Sequence, residues 1–247
     1  TINYIAMLFM LISSINFGLH YNFVINGKFK DYWRNSEFRM FFSILIVSTI
    51  SIATCLYLTH HHTHFIQHLK DAAFTVIAVA TTTGITTTDF SHWPIAIAYS
   101  LMVIAIIGGC SGSTSGGIKV VRLVVLAKQG LRELHQLLHP RAISVIKIDG
   151  RPLTERISNA IWAYLALFVL IFVALWIALL ATGLDSTTAF GAIASCISNC
   201  GAGIGGVAQN YEHISIGSKW VLIFAMLTGR LEIFTVLVLF TRDFWRH

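Results

Sequence analysis

TTTGIT (81–86) and SNCGAG (198–203) occupy the same place in two copies of one repeated pattern. Each loop follows an apolar stretch that is too short to cross a bilayer, 69–80 in the first copy and 185–197 in the second. A long apolar run precedes each short stretch, and another follows each loop. The repeated unit is therefore span, half-span, glycine-bearing loop and span. It predicts an all-α membrane protein built from internal repeats.

The composition also places the chain in a membrane. Of its 247 residues, 55% are hydrophobic and 11% are charged, and the mean hydropathy is +0.73. Soluble domains carry about 25% charged residues, so a soluble fold, a disordered chain and a disulfide scaffold are all excluded. The four cysteines are interpreted as small apolar fillers. A crossing needs roughly 20 apolar residues, and four uninterrupted runs have about that length: 1–19, 38–58, 157–182 and 219–241.

The net charge of +6 follows from membrane topology and not from a nucleic-acid surface. If the spans alternate in direction, most Lys and Arg residues fall on one side, and only Lys70 and Lys219 fall on the other. The positive-inside rule makes the basic side cytoplasmic. The chain has no initiator methionine, so we expect it to begin inside a longer protein.

The half-spans are interpreted as pore helices, which enter the bilayer and return. Asp71 and Asp185 stand near their starts, the favourable end of a helix dipole for an acid. The C-terminal ends then present free carbonyl groups at mid-membrane, where a permeating cation is their natural ligand. A pore of this kind needs about four loops around its axis. The chain is therefore interpreted as the C-terminal half of a four-repeat pore.

A fifth apolar run, 94–127, is interrupted by GGCSGSTSGG (108–117). Its apolar parts, at about 1.5 Å per residue, together match the thickness of the hydrocarbon core, so the helix is predicted to break at mid-membrane. A Gly/Ser-rich segment changes shape at low steric cost, which suits a gate; a loop that only relieves packing is the alternative. GCSG (109–112) also matches the GxSG of rhomboid-type intramembrane proteases. Ser111 would then need a histidine base, and the histidines lie in loops or at span ends.

Arg230 is a charge within an apolar run. An arginine there costs about 2.5–3.5 kcal/mol, so it is expected to face a cavity or a partner. A structural pair with Glu232 is the alternative, but residues two apart on a helix point in different directions. We expect Arg230 to face the pore near the 108–117 segment and Glu232 to pair elsewhere.

Several motifs together resemble the Trk/Ktr/HKT superfamily of potassium transporters. They occur in family order over nearly the whole chain: NFGLH (16–20), YWRNSEFR (32–39), TTTGITTTDFSHWP (81–94), GGCSGSTSGGIKVVRL (108–123), LHPRA (138–142), SNCGAGIG (198–205) and GRLEIFT (229–235).

The resemblance implies potassium uptake across the bacterial inner membrane by a multi-pass protein that is not an enzyme. It implies an ion-binding selectivity filter made of Thr82, Thr83, Gly84, Ile85, Asn199, Cys200, Gly201 and Ala202. It implies a gate made of Gly108, Gly109, Cys110, Ser111, Gly112, Ser113, Thr114, Ser115, Gly116 and Gly117, with Lys119 close by and Arg230 as a pore-lining charge. Potassium is the substrate, and no cofactor is expected.

The resemblance also implies an organisation and partners. The expected segments are 1–22, the last span of a preceding repeat; 23–37, a cytoplasmic loop; 38–127, the third pore repeat with a broken inner helix; 128–156, a cytoplasmic helix and hairpin; and 157–247, the fourth pore repeat. A peripheral nucleotide-binding regulator of the TrkA type and a homodimer of full-length chains are the expected partners. The basic residues at 122–156 are explained equally by topology and by contact with anionic lipid.

Three further hypotheses stay open on sequence. A sodium or sodium–potassium transporter of the same fold is the closest alternative, because the first repeat lies outside the chain. An intramembrane serine protease is the alternative from a different class. The histidine-rich stretch 60–70 has the residue types of a zinc site, although nothing else in the sequence indicates a metal.

Overall fold

A computed structural model describes residues 2–59, 65–88, 90, 93–140, 145–239 and 241–246. In these ranges the helices are α1 (Ile2–Ser14), α2 (Phe17–Asn26), α3 (Lys30–Arg34), α4 (Ser36–Thr59), α5 (Phe65–Ala80), α6 (Ile95–Ile107), α7 (Val120–Leu138), α8 (Glu155–Ala181), α9 (Ser186–Ile197), α10 (Ile216–Arg230) and α11 (Ile233–Val238). The strands β1 (Lys147–Ile148) and β2 (Arg151–Pro152) form an antiparallel hairpin. Short 3-10 turns cover Gly205–Val207 and Arg242–Trp245.

The repeated unit seen in the sequence is also a packing unit. Helix α5 lies between α4 and α6, and α9 lies between α8 and α10 in the same way. The inner helix of one unit packs on the pore helix of the next, because α6 contacts α9 and α1 contacts α5. The predicted fold of repeated span, pore helix, loop and span is therefore confirmed.

Among the described residues two helices, α4 and α8, are long and apolar enough to cross a membrane, and the pair α1–α2 would be a third candidate if counted as one bent span. Side chains such as Val47, Ile50, Leu170 and Ile177 are exposed on α4 and α8. A helix with exposed apolar side chains over this length is suited to lipid. The protein is a membrane protein.

The pore helices are buried instead. On α9 the residues Ala189, Ala192, Ile193 and Ala194 are fully buried, because small side chains let neighbouring helices approach closely. Asp185 caps this helix, its carboxylate accepting the Thr188 amide at 3.0 Å. Hydrogen bonds from the Thr188 side chain and backbone lower the pKa of Asp185.

Two of the predicted continuous spans are wrong. The run 1–19 is not one helix, because α1 ends at Ser14 and α2 leaves at 96°. The Asn16 side chain caps α2 by accepting the Gly18 amide at 2.7 Å, which fixes the new direction. The run 219–241 also breaks, because α10 ends at Arg230 and Glu232 has a left-handed φ of 59°. Hydropathy does not detect either break, since apolar residues continue on both sides.

Together with the predicted interruption after α6, all three inner helices break. Helices α1 and α6 have 13 residues each and α10 has 15, which is about 20 Å of helix at 1.5 Å per residue. A hydrocarbon core of about 30 Å is therefore not crossed by any of them alone. The segments at these breaks, together with the loops after α5 and α9, form the candidate site.

Candidate functional site

The loop after α5 begins with a Schellman motif, the hydrogen-bond pattern that ends many helices. The Thr82 amide donates to the Val79 carbonyl at 3.0 Å, and the Thr83 amide donates to the Ala78 carbonyl at 2.9 Å. Thr82 takes the left-handed position of this motif with φ 53°, where glycine is usual. Gly84 is left-handed as well, with φ 71°.

The loop after α9 repeats this geometry with different side chains. The Asn199 amide donates to the Cys196 carbonyl at 3.1 Å, and the Cys200 amide donates to the Ser195 carbonyl at 2.9 Å. Asn199 has φ 55° and Gly201 has φ 89°. The two loops therefore follow the same backbone path. The departure from a threonine-rich sequence in the second loop leaves that path unchanged.

The two loops also lie against each other. A Cβ built on Gly84 would stand 1.9 Å from the Cys200 carbonyl oxygen and 3.4 Å from the Ala202 amide nitrogen. No side chain fits in that space, so glycine is required at 84 for proximity as well as for its φ. A Cβ on Gly201 would meet no atom within 4 Å among the described residues.

The segment between α6 and α7, residues 108–119, fills the break in α1. The Cys110 amide donates to the Ser14 carbonyl at 3.0 Å, and the Thr114 amide donates to the Ser13 carbonyl at 3.2 Å. In return, the Gly112 carbonyl accepts the Phe17 amide at 3.1 Å. Backbone groups released where α1 ends are thus paired by this segment.

The same segment also contacts both glycine-bearing loops. The Gly116 amide donates to the Thr82 hydroxyl at 2.8 Å. A Cβ on Gly116 would stand 2.0 Å from the Ser198 carbonyl oxygen. Gly116 is buried, and its backbone is therefore pressed against the C-terminal ends of α5 and α9 at once.

Two cations, Lys119 within the segment and Arg230 outside it, donate hydrogen bonds to its backbone carbonyls. The Lys119 ammonium donates to the Ser115 carbonyl at 2.6 Å. Arg230, at the end of α10, donates to the Thr114 carbonyl at 3.3 Å. The sequence placed Arg230 near the 108–117 segment, and the structure brings the two together.

Glu232 pairs away from Arg230, as expected. Its carboxylate lies 2.8 Å from the Arg122 guanidinium, which also donates to the Ile118 carbonyl at 3.1 Å. The Arg122 guanidinium stands 3.9 Å over the Tyr164 ring, a cation–π arrangement. The break after α10 is therefore tied to the start of α7.

Glu37, in the first turn of α4, is a site residue that the sequence analysis missed. Its carboxylate oxygen accepts the Ser111 amide at 2.5 Å and the Val121 amide at 3.2 Å. Glu37 is only 6% exposed. The one available signal was an acid directly before a long apolar helix, a pattern that more often marks a simple helix start.

These arrangements can be compared with proteins of known identity. A family model described as TrkH, "Cation transport protein", matches residues 1–246. The chain belongs to the TrkH family. This is a family of transport proteins and not of enzymes.

The relatives that this chain resembles are about twice its length. The chain is 42% identical to the "Trk system potassium uptake protein TrkH" of Salmonella typhimurium over 247 residues, and 34% identical to the "Trk system potassium uptake protein TrkG" of Escherichia coli. It spans 51% and 50% of those two proteins. The crystal structure of the potassium transporter TrkH from Vibrio parahaemolyticus superimposes with a TM-score of 0.92 at 42% identity, covering 99% of this chain and 53% of that one.

The protease and zinc hypotheses receive no support from the described residues. No hydrogen bond joins the Ser111 hydroxyl to a histidine in the part of the chain that the structure covers, and the family is not one of proteases. Over those residues no group of three or more potential ligands could hold a metal. Four of the five histidines in the stretch 60–70 lie at 60–64, outside the described residues. All four cysteines are free.

Proposed function

We propose that this chain forms half of a multi-pass transporter that conducts potassium inward across the bacterial inner membrane. The observation that carries the proposal is the pair of glycine-bearing loops with the same left-handed backbone, in contact at the ends of two pore helices. The relatives named above as potassium uptake proteins support the choice of ion.

In this proposal the filter is 82–85 with 199–202. Helix C-termini carry partial negative charge, so α5 and α9 both favour a cation at the loops. Backbone carbonyls replace the water shell of the ion, as in potassium channels. Alternating left-handed residues turn successive carbonyls toward a common side, which an all-extended strand cannot do. Two further repeats in the remainder of the protein would complete the ring.

The proposed gate is 108–117. It is supported by the position of Gly116 against both pore-helix ends, where the Gly116 amide donates to the Thr82 hydroxyl. Lys119 and Arg230 hold the closed segment through the carbonyls of Ser115 and Thr114. Opening then requires that these contacts be lost together, while Glu37 keeps the start of the segment attached to α4.

The proposal extends to partners. We place the basic face around α7 and the hairpin in the cytoplasm, as the positive-inside rule requires. There it would dock a nucleotide-binding regulator of the TrkA type, and two full-length chains would form a homodimer. Potassium enters as substrate, and the transport needs no resident cofactor.

Ion uptake into proteoliposomes tests the filter. Full-length wild type, Gly84→Ser and Gly130→Ser are compared for rubidium and potassium uptake with sodium in competition. Gly130 is the matched control, because a Cβ there meets nothing within 4 Å and its φ is not left-handed. Strain of about 1–3 kcal/mol at a left-handed, crowded position should lower the potassium preference of Gly84→Ser by at least about fivefold.

Each outcome decides a hypothesis. Wild-type uptake that prefers potassium, with that preference weakened only in Gly84→Ser, supports the carbonyl filter. Equal potassium and sodium uptake by the wild type would favour the sodium–potassium alternative. Unchanged selectivity in a folded Gly84→Ser protein would refute the assignment of this loop as the filter.

A further inference from the structure

A large polar cavity lies on the basic side of the molecule, and none of its lining residues belongs to the glycine-bearing loops or to the 108–119 segment. It has a volume of about 1050 Å³, opens to the surface and is lined by residues of α2, α3, the first turn of α4, α7 and the β1–β2 hairpin. Five of its lining residues are cations: Arg34, Arg39, Lys128, Lys147 and Arg151.

These cations are not neutralised by the cavity's own acids, Asp31 and Asp149. The Asp149 carboxylate is occupied, because it accepts the Ser36 amide at 2.8 Å and the Asn35 side-chain amide at 3.3 Å. Within the described ranges, none of the five cations has a carboxylate within salt-bridge distance. The cavity therefore holds excess positive charge that only a bound anion or solvent can balance.

The β1–β2 hairpin, which lines one wall of the cavity, is held in place by several contacts. Asp149 and Gly150 have left-handed φ values of 50° and 82°, as the two central residues of a type I′ turn require. The Lys128 ammonium donates to the Lys147 carbonyl at 2.7 Å and ties the hairpin to α7. Asp149 ties its tip to α4, as described above. The hairpin is therefore held to α4 and to α7, which gives the open cavity a fixed wall that an ordinary solvated basic face lacks.

A second cavity of about 470 Å³ continues from the first along the groove between α4 and α7. It shares Ser36, Arg39 and Lys128 with the polar cavity. It then runs along α4 past Met40 to Ser43, and along α7 past Ala127 to Val124. Charged side chains therefore give way to uncharged, mostly apolar ones in the direction in which α4 enters the membrane.

We propose that this composite site binds one anionic phospholipid. The phosphate-bearing headgroup occupies the polar cavity among the five cations, and the start of an acyl chain lies in the groove beside Met40 and Ala127. A site for free phosphate would need the polar cavity alone, whereas the groove provides for a chain attached to the anion. Basic pockets between spanning helices on the cytoplasmic side are suited to anionic headgroups.

Native mass spectrometry of the purified, delipidated full-length protein tests the proposal. It is titrated with phosphatidylglycerol and with phosphatidylcholine of the same acyl chains. We expect one phosphatidylglycerol to be retained preferentially. A cation near an anionic lipid contributes about 1 kcal/mol, or about fivefold. The double variant Arg34→Gln/Arg151→Gln should therefore weaken phosphatidylglycerol binding about 25-fold.

Two further variants separate the possible results. Lys28→Gln/Lys30→Gln removes the same charge from exposed positions beside the cavity and should change binding less than about twofold, since both lysines lie outside the cavity lining. Equal losses in the two double variants would mean diffuse attraction and overturn the site. Ala127→Phe fills the groove and should weaken phosphatidylglycerol binding while binding of glycerol phosphate stays unchanged.

The source of the anion is decided by competition. Complete displacement of the lipid by inorganic phosphate, with Ala127→Phe silent, would make this a site for free phosphate and refute the lipid. Unchanged phosphatidylglycerol binding in Arg34→Gln/Arg151→Gln would refute the assignment of the headgroup to this cavity. Because the readout is binding, neither result depends on whether the protein conducts potassium.

Discussion

Replacing Glu37 by alanine tests how the 108–119 segment is anchored. The carboxylate of Glu37 is the acceptor for two backbone amides, those of Ser111 and Val121, at the start of the segment and just beyond its end. Removing the acceptor of a buried donor costs about 1–3 kcal/mol. Because both amides are only partly buried, we expect Glu37→Ala to lower the free energy of unfolding by about 2–4 kcal/mol.

Glu37→Gln separates the acceptor from its charge. The glutamine side-chain oxygen can still accept both amides, but hydrogen bonds to a charged group are roughly twice as strong as neutral ones. The expected loss is therefore smaller, about 1–2 kcal/mol in total. The measurement is denaturant unfolding of the full-length protein in mixed micelles, followed by tryptophan fluorescence, with Glu133→Ala on the exposed surface of α7 as control.

The free energy of unfolding of Glu133→Ala should stay within about 0.5 kcal/mol of the wild-type value, as for most surface changes. A loss below 0.5 kcal/mol in Glu37→Ala as well would refute the anchoring role. Equal losses in Glu37→Ala and Glu37→Gln would show that negative charge near Lys119 matters, and not the two accepted hydrogen bonds.

Three other changes are expected to have defined effects. Gly116→Ala places a Cβ 2.0 Å from the Ser198 carbonyl oxygen, so it should displace the 108–119 segment and raise basal rubidium flux. The control Gly130→Ala should leave the flux unchanged. Equal flux in the two variants would contradict the close approach of Gly116 to Ser198. Arg230→Gln loses a hydrogen bond of about 0.5–1.5 kcal/mol to Thr114, which should raise the open-to-closed ratio about 2- to 13-fold in flux assays; a fall in flux would refute it. Asp185→Ala should cost about 1 kcal/mol of stability at pH 7 through loss of the cap. Because the folded pKa of Asp185 is lowered, the wild-type advantage is full above the ordinary aspartate pKa of about 4 and is lost as the pH falls from there through the lowered pKa of the folded protein. An advantage that persists below that lowered pKa would contradict this.

The sequence predicts the repeated unit well because its signals are local. Spans need about 20 apolar residues, and half-spans are visibly shorter. The interruption at 108–117 is rich in glycine and serine and is equally visible. These features identified the pore helices and the break after α6 without any knowledge of contacts.

The breaks after α1 and α10 have no such signal, because they depend on distant partners. Glu232 leaves the helix direction to reach Arg122, which lies 110 residues earlier in the chain. Ser13 and Ser14 end α1 where their carbonyls find donors in the 108–119 segment. Glu37 was missed for the same reason, since nothing near it in sequence indicates its two acceptor contacts.

The three broken inner helices have a consequence for how the chain enters the membrane. A segment of about 20 Å of helix that ends in free backbone groups is a poor candidate for independent insertion, because those groups have no partner in lipid. Helices α4 and α8 have no such defect and can be integrated as each is synthesised. The segments that carry the candidate gate therefore depend on already inserted neighbours for their final position. We expect truncation before α8 to leave α6 and the 108–119 segment poorly integrated, even though every residue of that repeat is present.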